Sequence, residues 1–175
     1  ANAAARLEEL HAVYERGEGM HDGARRNRVL AEISTVRIFV AFNNAEEMVS
    51  CTKEALRLLE GGVSCLMKRE SEFTFGCPHF LYTYYREPGK LKETVDYMAS
   101  EFPAFPVLAS GCGAGCDTVT LAEYALETGD WQGAELNAFK AMYKAKAKGQ
   151  TGIALCAGLT LIRLYLYQGR TDEGM

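Results

Sequence analysis

Residues Leu121 to Met142 read LAEYALETGDWQGAELNAFKAM. Leu121, Ala122, Ala125 and Leu126 recur at helical spacing. Gly129 ends that helix, because glycine enters the left-handed backbone region at little cost. Asp130 follows as the N-cap of a second helix, its carboxylate placed to accept from backbone N–H groups one turn on. Trp131, Ala134, Ala138, Ala141, Met142 and Ala145 then share one continuous face. Ala134, Ala138 and Ala141 are small where two helices of a hairpin must come close. The stretch predicts a helix, a three-residue turn and a second helix.

Outward from this hairpin the same grammar recurs. Ala4 to Arg16 predicts a short amphipathic helix with Leu7, Leu10 and Tyr14 on one side, stopped by Gly17 and Gly19. Ala1-Asn2-Ala3 reads as an expression-tag remnant and is set apart from the fold. Ala24 to Phe42 and Ala45 to Glu60 predict two helices around an Asn43-Asn44 turn. Residues 61–77 have no helical period and read as an extended loop or a broken helix. Cys77-Pro78 starts another helix, running to Arg86, and Pro88-Gly89 turns the chain. Leu91, Val95, Met98 and Phe102 define the next helix, closed by Pro103 and Pro106. A glycine-rich loop, Ser110 to Gly115, leads to a helix capped by Asp117. Gly149 then precedes a very apolar helix, Thr151 to Gln168, and Gly169 turns again. The turns at Asn43, Gly89, Gly129 and Gly169 are about 46, 40 and 40 residues apart. Aligned on them, Phe39, Tyr85 and Tyr165 fall four residues before the turn, and Leu81, Leu121 and Leu161 eight before it.

At Leu121-Ala122, Gly129-Asp130-Trp131 and Ala134…Ala141 the chain resembles a tetratricopeptide repeat. The resemblance implies an all-α fold, a right-handed superhelix of tandem helical hairpins (a tetratricopeptide-like α-solenoid). The units would be 24–62, 63–109 with an irregular insert, 110–148 and a truncated 149–175, after a leading helix and loop at 1–23. These units exceed the roughly 34 residues of the common repeat. Lengthened units of this kind, from FTFGCPHFLYTYYREPGKL at Phe73 to Gly169, resemble the repeat region of ATP-dependent LuxR-type transcription activators, the class that includes the maltose regulon activator. That resemblance implies an inducer-sensing, self-associating segment, with DNA binding in a separate helix-turn-helix domain. No GxxxxGK[ST] phosphate loop occurs in the chain. The alternative is a free-standing tetratricopeptide adaptor or co-chaperone that captures a peptide tail.

Composition sets the class. The 175 residues are 48% hydrophobic and 24% charged, with a net charge of −4. That balance argues against direct nucleic-acid contact. We expect a cytoplasmic protein with no export signal and no membrane span. The six cysteines, Cys51, Cys65, Cys77, Cys112, Cys116 and Cys156, are expected to be reduced.

Candidate sites follow from residue type. Cys112 and Cys116 offer two thiolates, but zinc asks for four ligands and no second pair is spaced to match; no cofactor is expected. The loop SGCGAGCD offers backbone N–H groups to an anion, or is simply a connection between units. The aromatic cluster Phe73, Phe75, Phe80 and Tyr82, with Tyr84, Tyr85 and His79, reads either as an inducer pocket or as core. Arg25, Arg26, Arg28 and Arg37 oppose the macrodipole of their own helix and read as a docking patch or a solvated face. The first helices of a solenoid line its concave side. Arg37, His79, Thr83, Arg86, Glu123 and Arg163 fall there, and the three arginines suit an anionic small-molecule inducer or an acidic peptide partner. The same arginines also have Glu87, Glu123 and Glu127 within reach as internal partners. No nucleophile, base and orienting group fall together, so catalysis is not expected. Thr151 to Gln168 is apolar on nearly every side, and self-association through it is expected.

Overall fold

The computed structural model describes residues 2–17, 22–71, 73 and 79–173. Among them the chain is all-α. The helices are α1 (Ala3–Glu15), α2 (Gly23–Val40), α3 (Ala45–Leu58), α4 (Phe80–Tyr84), α5 (Leu91–Glu101), α6 (Ala104–Leu108), α7 (Cys116–Thr128), α8 (Trp131–Lys148) and α9 (Thr151–Tyr167), with a 3-10 turn at Thr171–Glu173. No helix among these residues is long and apolar enough to cross a membrane. Gly19, Phe75 and the expected helix start at Cys77-Pro78 lie outside the described residues.

Consecutive helices pack as antiparallel neighbours: α2 on α3, α7 on α8, and α8 on α9. The four turn positions read from the sequence all take positive φ, Asn43 at 75°, Gly89 at 85°, Gly129 at 80° and Gly169 at 72°. At Gly129 the reason is visible. The Asp130 N–H donates back to the Ala125 carbonyl at 2.9 Å, closing the helix in the manner of a Schellman motif. The Asp130 carboxylate then accepts from the Gly133 N–H at 2.9 Å and opens α8. Asn44 does the same for α3, accepting from the Glu47 N–H at 3.2 Å.

The apolar interior forms three successive clusters. Leu30, Ile38, Ala55, Phe105 and Leu108 join α2, α3 and α6. Phe80, Leu81, Val95, Met98, Val119 and Ile153 join α4, α5, α7 and α9. Ala122, Leu126, Ala134, Ala138 and Leu164 join α7, α8 and α9. Ala134, Ala138, Ala141 and Ala145 are fully buried, as their spacing requires. Trp131 is not in that seam. It is 41% exposed and lies against Tyr167, ring centroids 6.1 Å apart.

Four local expectations are corrected. Asn2 belongs to the fold, because its side chain accepts from the Ala4 N–H at 3.2 Å and caps α1. The helix expected to run to Arg86 is only Phe80–Tyr84, and Tyr85 is already extended. Pro106 does not close α5. It sits at the third position of α6, where the N–H it lacks has no helical acceptor. Asp117 does not cap α7. Gly115, at φ 98°, holds the cap position, and the Cys116 N–H donates to Gly113 within a continuous run of turns. Asp117 instead pairs with Lys144 of α8 at 2.6 Å.

Candidate functional site

The expected concave residues separate into three places. His79, Glu123 and Arg163 come together. The Arg163 guanidinium lies 3.4 Å from His79 Nδ1 and donates to Glu127 at 2.8 Å. Thr83 donates to the His79 carbonyl at 3.3 Å. Arg37 pairs with Glu8 of α1 at 3.0 Å. Arg86 donates to the Tyr82 carbonyl at 3.4 Å and borders a polar hollow with Asn44, Glu87 and Lys90. The positive bias expected of the groove is therefore answered internally at two of its three arginines. Glu127 takes the bridging role left open in the sequence.

Glu123 is the least expected of these residues. It is 1% exposed. Its Oε1 accepts from the Phe80 N–H at 2.9 Å and its Oε2 from the Leu81 N–H at 2.6 Å. It thereby caps α4 from α7, a service that His79, the cap residue in sequence, does not perform with its side chain. Burial pushes the carboxyl up to about 7, against the lowering effect of the two amides and of Arg163. Burial, then Glu127, likewise raises the Tyr82 hydroxyl.

The aromatic residues build a second feature. Phe73 lies 5.4 Å from Phe80 and 5.2 Å from Phe105. Phe105 meets Phe39 at 6.5 Å, and Phe102 meets Tyr84 at 4.9 Å. All of these but Phe80, together with Ile38, Phe42, Met48 and Val49, wall an apolar cleft between α2, α3, α5 and α6. Phe39 and Phe42 stand half-exposed at its mouth. The cleft's polar members, Thr52 and Glu101, are satisfied internally, by the Met48 carbonyl at 2.8 Å and by Lys53 at 2.6 Å. The void is about 40 Å³, enough for one small apolar group and too little for a drug-sized ligand. Of the residues expected to form this pocket, Phe73 lines it and Phe80 supports it from the core. Tyr82 sits apart, 6.0 Å from His79, and Phe75 lies outside the described residues. Phe39, Phe42 and Phe102 were missed because each reads as an ordinary position of its own helix, and Phe105 because it falls between the two prolines expected to close one.

Phe73 reaches the cleft over Gly113. A Cβ on Gly113 would lie 2.6 Å from the ring, so only glycine admits it. The same glycine's N–H donates to Gln150 Oε1 at 2.7 Å, and Gln150 Nε2 donates to the Arg69 carbonyl at 2.6 Å. The loop considered as an anion cradle thus directs this N–H to Gln150. The Cys112 thiol donates to the Ser71 carbonyl at 3.1 Å, whereas Cys116 faces the Phe102 carbonyl. Burial raises Cys116 far above the usual thiol range. Among the described residues no group of three His, Cys, Asp or Glu side chains is placed to hold a metal. No known protein family, curated protein or solved structure matches the chain.

Proposed function

We propose that this chain is a non-catalytic sensing and protein-interaction domain, a right-handed tetratricopeptide-like α-solenoid in the repeat region of a cytoplasmic LuxR-type transcriptional regulator. Recurrent left-handed turns and a core strung out in successive clusters support the solenoid. The observation that carries the interaction role is the aromatic cleft. It presents half-exposed phenylalanines around a small void, with its polar groups already satisfied, which suits one apolar anchor from a partner or inducer. Contact with DNA would belong to another domain of the regulator. The exposed Leu155, Ile162 and Leu166 of α9 support self-association. The size of the void also favours the second reading, an adaptor that seats one side chain of a peptide tail. A parent gene encoding a phosphate loop upstream and a helix-turn-helix downstream separates the two.

The cleft is tested by NMR titration with small aromatic and aliphatic fragments. Bound fragments are expected to perturb Phe39, Phe42 and Phe105, and Phe42→Ser should abolish the effect. Fragments that map elsewhere, or that bind the variant equally, reject the site.

A further inference from the structure

The outer face of α8 carries an exposed apolar stripe. Its inner face is the fully buried alanine seam. On the opposite side Leu136, Phe139 and Tyr143 are 55%, 50% and 78% exposed. Their spacing of three and four residues aligns them in one stripe about two turns long. The hairpin is joined without them, by the alanine seam with Met142 beside it and by the Lys144–Asp117 and Tyr165–Glu135 contacts. A surface helix with one buried face ordinarily carries polar residues on the other. Three consecutive large apolar side chains on that outer face mark a place of contact.

Charge selects the occupant. Lys140 and Lys146 flank the stripe on its two sides, and neither makes an ion pair among the described residues. Lys144 differs, being held by Asp117. The helix dipole accounts for lysines in the last turn but not for Lys140 in the middle. The face is cationic on a chain of net charge −4. A second copy laid symmetrically on this stripe would set lysine against lysine, which opposes an isologous dimer there. We infer that the outer face of α8 docks an acidic amphipathic helix of a partner protein, its apolar side chains on Leu136, Phe139 and Tyr143 and its carboxylates toward Lys140 and Lys146. This surface is separate from the aromatic cleft and does not depend on the function proposed for it.

The test uses the full chain and three fluorescent 18-residue helical peptides. One carries leucines at helical spacing flanked by glutamates, one the same leucines flanked by lysines, and one a scramble of the first. Anisotropy should show micromolar binding of the acidic peptide alone, weakening with salt. Lys140→Glu with Lys146→Glu should weaken it at least tenfold and transfer binding to the lysine peptide. Leu136→Ser with Phe139→Ser should abolish it while the thermal transition stays in place, because both side chains are exposed. Equal binding of acidic and basic peptides, binding that survives the serine variant, or no binding of the acidic peptide would overturn the proposal. So would binding to anionic vesicles that the acidic peptide does not compete. Sedimentation showing that the serine variant dissociates a dimer would assign the face to a second copy and overturn it equally.

Discussion

Replacing Glu123 by glutamine should change how the stability of this protein depends on pH. The wild-type carboxylate is buried and holds two amides of α4. Its proton is lost at about 7 rather than near 4.5. The folded chain therefore binds that proton more tightly than the unfolded chain does. The resulting stabilisation is fully present below about pH 4.5 and is lost as pH rises through about 7. A displacement of this size, at about 1.4 kcal/mol per pH unit, corresponds to about 3 kcal/mol. For a chain of this length that is about 6–12 °C of melting temperature. Glutamine cannot ionise, so this loss disappears. Its Oε1 still accepts one N–H, but its Nε2 is a donor facing the second N–H, which costs about 1–3 kcal/mol. Glu123→Gln should thus be clearly less stable than wild type at pH 5 and should approach or overtake it at pH 8. Urea unfolding followed by circular dichroism at half-unit steps measures the difference directly. A wild-type-minus-variant stability that stays flat between pH 5 and 8 would refute the buried, late-titrating carboxylate. Arg163 and Glu127 are the charges that act on Glu123, and Tyr82 is a titratable group close enough to feel it. Repeating the series in Arg163→Ala should shift the wild-type midpoint upward, because the guanidinium favours the ionised form.

Two further substitutions probe the packing that positions the cleft. Gly113→Ala places a Cβ 2.6 Å from the Phe73 ring at φ 80°. It should cost about 1–3 kcal/mol and detach Phe73 from Phe80 and Phe105, read as a lower melting temperature together with altered aromatic resonances. Ala138→Leu inserts three carbons into a fully buried seam between α7, α8 and α9. It should lower stability by about 1–3 kcal/mol, measured by urea unfolding, with the cost falling on the α8 hairpins rather than on the cleft.

The helices and their turns were legible because they are written locally. Asn43, Gly89, Gly129 and Gly169 announce left-handed backbone by residue type, and the alanines of α8 announce a close helix contact by spacing. What was hidden depends on partners distant in sequence. Glu123 has the chemistry of a surface residue, and its register on α7 placed it in an open groove. The amides that hold it belong to Phe80 and Leu81, and no local pattern marks a backbone donor that far away. The wall of the cleft is hidden in the same way. Phe39, Phe102 and Phe105 lie on different elements, and only the meeting of Phe39 and Phe73 on Phe105, beside Phe102, turns them into one surface. The stripe on α8 was hidden for a different reason. Leu136, Phe139 and Tyr143 are as periodic as the alanines on the opposite side, so period alone marks two apolar faces on one helix. Choosing which face is inside requires side-chain size. The buried seam of α8 is built of four alanines with Met142 beside them, so the small face is the inner one. The large face is then left outside, where its phenylalanine, tyrosine and leucine cannot be explained by the fold.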